Sequence, residues 1–71
     1  MNPEVYMIKV IDRDCYFHSI HEGGVVLFCS EKQRFLACMF ADKDEVKDVG
    51  KAVSSLSGFG CRIIELDMNE L

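Results

Sequence analysis

Cys15, His18 and His21, with Cys29, Cys38 and Cys61 further along the chain, are the residues whose chemistry first invites a catalytic or metal-binding reading. Thiolate and imidazole ligands suit zinc, and a thiol beside a base is the heart of a cysteine nucleophile. Neither constellation assembles by spacing. Side chains alternate along a strand, so Cys15 and His21 would share one face of a strand over 15–21 and His18 the other. No Cys-x-x-Cys or His-x3-His pair is present to close a tetrahedral site. The glycines are no more suggestive. Glu22-Gly23-Gly24 is too short to cradle a phosphate and leads into no helix, and Gly58-Phe59-Gly60 precedes a strand. The expectation is therefore ordinary sheet histidines beside core cysteines, with no catalytic residue, no metal and no cofactor. A small thiol or zinc-dependent protein is the alternative class.

Charge is distributed more suggestively. Twelve acidic and eight basic side chains give a formal charge of −4, which opposes direct contact with nucleic acid or an anionic membrane. Lys43, Lys47 and Lys51 form one helical ladder and Asp44 and Asp48 a neighbouring one. The i,i+3 pairs Asp44–Lys47 and Asp48–Lys51 are expected to offset the repulsion within each row. Glu65, Asp67, Glu70 and the terminal carboxylate crowd the C-terminal end, with Arg62 as the nearby base. Glu65 and Asp67 would share a strand face roughly 7 Å apart, a spacing like that of phosphates along a nucleic-acid backbone. Such a row can compete for a basic nucleic-acid-binding surface. It equally protects an edge strand from unwanted pairing.

The elements that position these groups can be read along the chain. Val5 to Ile11 is dense in β-branched and aromatic residues and reads as a central strand. Asp12-Arg13-Asp14 turns the chain into a second strand, Cys15 to His21, and Glu22-Gly23-Gly24 turns it again into a third, Val25 to Cys29. Ser30 to Gln33 is a polar connection, and Arg34 to Phe40 reads as a fourth strand, with a short helical turn around 31–35 as the alternative. Asp42 and Glu45 have capping-box spacing. Val46, Val49, Val53 and Leu56 then recur along one helical stripe. Gly50 within that stripe leaves room for close approach of another backbone. Gly58 ends the helix, with Phe59 folded back on its last turn. Cys61 to Met68 is the last strand, with Ile64, Leu66 and Met68 on one face and Ile63, Glu65 and Asp67 on the other. A strand that closely follows a helix suggests a β-α-β crossover and parallel pairing. The predicted fold is α+β, one twisted sheet in ββββαβ order with a single helix on one face. The other face is left solvated or as a binding surface.

Seventy-one residues make one domain, 1–71. A chain this small buries only about three fifths of its surface, which makes a homodimer a serious expectation. Cysteines placed inside apolar runs read as reduced, which with the absence of a basic leader at Met1-Asn2-Pro3-Glu4 points to a cytoplasmic protein.

An opening strand at Tyr6-Met7-Ile8-Lys9, a meander, and a capped helix, Gly-Phe turn and acidic strand over 42–67 give the chain the texture of a known type. It resembles the tiny accessory proteins encoded by phages. The resemblance implies a host-directed role, in which the protein binds and blocks a host enzyme or nucleoid protein, in some cases by mimicking DNA. The functional expectation is a non-catalytic inhibitor of a basic host DNA-binding protein, acting through Asp44, Asp48, Glu65, Asp67 and Glu70. The alternative is an apolar docking or dimerisation module that uses the uncovered sheet face, anchored by Phe17, Phe28 and Phe35.

Overall fold

Alternation of apolar and polar residues, punctuated by Asp12–Asp14 and Glu22–Gly24, folds the first half of the chain into a meander. A computed structural model describes residues 4–67. The strands β1 (Glu4–Val10), β2 (Cys15–His21), β3 (Val25–Ser30) and β4 (Cys61–Asp67) form an antiparallel sheet in the order β3-β2-β1-β4. One α-helix, α1 (Lys43–Ser57), packs on it. The α+β architecture expected from the sequence, one sheet with one helix, is the one observed. Met68 and Glu70 lie outside the described residues.

Two expectations are corrected. Arg34–Phe40 is not a fourth full strand. A 3-10 helix, Glu31–Leu36, takes up its first part, as the short-turn alternative anticipated. Glu31 is held on two sides, accepting from the Tyr16 hydroxyl and pairing with Arg34 at 3.6 Å; i,i+3 side chains eclipse in a 3-10 turn. Only the tail is strand-like. Cys38 N–H donates to the Phe17 carbonyl at 3.0 Å, and Tyr6 and Phe40 exchange backbone hydrogen bonds of 2.8 and 2.9 Å. Residues 38–40 thus wedge between β1 and β2, which are directly paired only at Lys9 and Tyr16.

The second correction is the direction of β4, which pairs antiparallel with β1 from Glu4↔Asp67 to Val10↔Cys61. The crossover itself exists. Residues 38–40 and β4 both run antiparallel to β1, one on each side of it, and α1 carries the chain between them. It is a split β-α-β unit with β1 inserted between its limbs. A crossover implies parallel limbs but does not make them neighbours.

Strand alternation sorts the apolar side chains into two cores. On the helix side, Ile8, Phe17 and Phe40 pack with Val46 and Val53 of α1, with Tyr6, Val26, Phe28, Val49 and Cys61 at the margin. On the opposite side, Met7, Tyr16, Cys29 and Ala37 form a second cluster with Met39, Ile64 and Leu66. The 31–39 segment roofs this part of the face that was expected to be bare. Met7, Ile8, Val46 and Val53 are fully buried, at about 1.5–3 kcal/mol each for an aliphatic side chain removed from water.

The helix is bounded as its sequence dictates. The Asp42 carboxylate accepts from the backbone N–H groups of Asp44 and Glu45 at 2.8 and 3.2 Å. Gly58 adopts φ 78° and donates to the Ser54 carbonyl at 2.9 Å. Ser54 Oγ donates to the Phe59 carbonyl, and the Phe59 ring meets Phe28 edge-on at 5.9 Å. This fixes the turn into β4.

Candidate functional site

His18 and His21 are the first residues to be relocated. A β-bulge between Phe17 and Ser19 inserts an extra residue into β2. The bulge undoes the alternation that would have put the two imidazoles on opposite faces. Both now flank the Ser19 hydroxyl, His18 Nδ1 at 2.8 Å and His21 Nε2 at 2.9 Å. One hydroxyl proton can serve only one ring, so the other ring must donate an N–H to the Ser19 oxygen. Cys15 stays at the far end of β2, opposite Ser30, about 20 Å along the strand from His21. No thiol–imidazole pair therefore forms there. Burial pushes the Cys29, Cys38 and Cys61 thiols up, away from the thiolate form. Among the described residues, no group of three His, Cys, Asp or Glu side chains is disposed to hold a metal ion.

The acidic residues separate into two groups. Glu65 and Asp67 stand opposite Tyr6 and Glu4 across the β1–β4 ladder. Glu4, Glu65 and Asp67 therefore gather on the helix-side face at one end of the sheet. A hydrogen bond shared with Glu65, then the charges of Glu65 and Asp67, raise the carboxyl of Glu4 above the ordinary 4.5. Asp44 and Asp48 are exposed on α1, roughly 160–200° around the helix from the inward-facing Val46. The lysines expected to pair with them turn elsewhere: Lys47 and Lys51 line a cleft beside β4. Neither lysine makes a salt bridge among the described residues. A basic row thus lies between the two acidic groups, which do not form one continuous face. Glu70 lies outside the described residues.

The phenylalanine anchors also divide. Phe17 is buried, and Phe28 is half-buried against Phe59; both belong to the helix-side core. Only Phe35 is a surface anchor, at 65% exposure. It has company that sequence reasoning did not single out. Val25 and Leu27, 54% and 43% exposed, alternate with Cys29 and so share the face opposite the helix. Their cross-strand partners are His21 and Ser19. The 3-10 helix packs against β2 and β3 on that face and leaves Leu36 exposed beside Phe35. The unbroken apolar run of β3 contained the signal for a strand but none for which side would stay open.

Strand β3 is also an edge of the sheet. Among the described residues no strand pairs with its outer side, and the usual guards against such pairing (lysine, proline or an inward-pointing charge) are missing from Val25–Ser30. The same edge thus carries both hydrogen-bonding capacity and apolar side chains. No known family, curated protein or solved structure matches the chain.

Proposed function

We propose that this chain is a non-catalytic interaction module that associates with a second copy of itself through β3 and the adjoining 3-10 helix. The observation that carries this reading is the exposure of Val25, Leu27, Phe35 and Leu36 on or beside an unguarded edge strand. Pairing two β3 edges about a two-fold axis would engage the outer backbone groups and continue the sheet across the dimer. The apolar side chains would enter the same interface, the part of an interface richest in binding energy. Small size favours the arrangement, since a chain of 71 residues gains core by sharing it.

Sedimentation velocity across a concentration series tests the reading. A monomer–dimer equilibrium is expected, shifted at least tenfold towards monomer by Leu27→Arg or Phe35→Glu with an unchanged circular dichroism spectrum. A wild-type chain that stays monomeric at millimolar concentration would sink it.

A second reading is supported by the gathering of Glu4, Glu65 and Asp67 at one end of the sheet. It is inhibition of a basic DNA-binding protein by an acidic, DNA-like surface. Binding of this kind weakens steeply as salt shortens the Debye length from about 10 Å at 0.1 M, and fails on charge reversal of Glu65 and Asp67. Affinity for a basic partner that is indifferent to both changes would dispose of it.

A further inference from the structure

Ile8, Gly50, Cys61 and Ile63 floor a cleft of about 280 Å³ between α1 and the edge strand β4, and Lys47, Lys51 and Arg62 complete its lining. Gly50 makes the space. The nearest atom to the position a Cβ would occupy is Ile8 Cδ1, at 4.0 Å. The glycine therefore accommodates no approaching backbone; it leaves a gap in the helix wall.

The charge around this gap runs against that of the chain. The whole chain carries −4, yet every charged residue of the lining is a cation. Arg62 alternates with Cys61 and Ile63 and so belongs to the opposite face of β4, which leaves Lys47 and Lys51 as the cations of the cleft; neither makes a salt bridge among the described residues. Lys47 and Lys51 are one helical turn apart, where like charges repel; an anion between them would turn that repulsion into attraction. Glu65 lies two residues beyond Ile63 on the same face of β4, which bars an anionic group from that end. An apolar floor with a few convergent polar groups is the usual make-up of a small-molecule site.

We propose that the cleft binds a small amphipathic anion, its apolar body on Cys61 and Ile63 and its carboxylate or phosphate head beside Lys47 and Lys51. Size sets the class of ligand. At about 30 Å³ for each water-sized group, a volume of about 280 Å³ holds roughly nine non-hydrogen atoms. That matches the apolar part of a medium-length acyl chain or one substituted ring, with the head group at the open rim beside the lysines.

The test is a titration of isotope-labelled full-length protein, followed by amide shifts in two-dimensional NMR. The probes are octanoate, octyl phosphate, octanol and acetate, each kept below its aggregation range. Octanoate or octyl phosphate should give saturable shifts at Gly50, Lys51, Cys61 and Arg62, and the tighter of the two identifies the head group. Octanol, which lacks the charge, and acetate, which lacks the chain, should bind at least tenfold more weakly. Lys47→Gln with Lys51→Gln should erase the preference for octanoate over octanol. Gly50→Leu should abolish both, and Gly50→Ala, which meets no clash and improves helix propensity, should weaken binding in a chain at least as stable. Equal binding of octanoate and octanol, or shifts scattered over the surface, would overturn the proposal. So would silence towards all four probes from a chain whose cleft lysines bind an acidic peptide.

Discussion

Glu4 shows how one exposed side chain can carry a pH dependence for the whole fold. It shares a hydrogen bond with Glu65 and feels the charges of Glu65 and Asp67, and its carboxyl is raised above 4.5. A raised folded-state pKa means that the native state holds the proton more tightly than the unfolded chain. The contribution to stability is then fully present below the unfolded value and is lost as pH rises through the folded one. Glu4→Gln should therefore raise the melting temperature at pH 7, where three carboxylates repel, and have little effect at pH 3. Thermal melts at the two pH values check this, and an equal shift at both would mean that charge is not the cause. Tyr16 titrates at the other end of the scale. Burial, then its hydrogen bond to Glu31 and the charge there, raise the phenol above 10.0. The stability it contributes is lost as pH climbs past that range.

Turns and caps do at the scale of elements what titratable groups do singly. Gly24 and Gly58 both have φ 78°, a conformation unfavourable to any residue with a Cβ. Their surroundings differ. A Cβ on Gly24 would lie 3.2 Å from Leu56 Cδ2, whereas one on Gly58 would meet nothing within 4 Å. Both alanine variants should be destabilised by about 1–2 kcal/mol for the left-handed backbone, with Gly24→Ala the worse of the pair. Urea denaturation of the two measures the difference, and equal losses would show that Leu56 moves aside without cost. The same proximity places the end of the helical stripe at the rim of the core. Val46 and Val53 are fully buried, but Leu56 is 51% exposed at the rim, resting over the β2–β3 turn.

At the scale of the whole molecule, two small cores lie on opposite faces of one thin sheet. The helix-side core reaches Val26, but the one on the other face stops at Cys29 and leaves Val25 and Leu27 uncovered. A second copy placed there would stabilise the native state by mass action. The melting temperature of the wild-type chain should then rise with protein concentration, and that of Leu27→Arg should not. Calorimetry over a hundredfold range of concentration distinguishes the two, and parallel behaviour would remove β3 from the interface.

The sequence by itself determined what depends on neighbours along the chain. The capped helix follows from Asp42, Val46, Val53 and Gly58. The hairpin turn follows from Gly23 and Gly24, and the two-faced last strand from Ile63 to Asp67. These are local preferences of backbone and side chain, legible within a few residues. Tertiary structure decided what depends on pairing between distant segments. The wedge of residues 38–40 between β1 and β2 took the place of a fourth full strand, and β1 came to lie between the limbs of the crossover. The bulge at His18, whose extra residue exists only relative to β3, brought two histidines to one serine. The turn of Lys47 and Lys51 away from Asp44 and Asp48 likewise required β4, because a helix read alone offers no strand beside which a cleft can form.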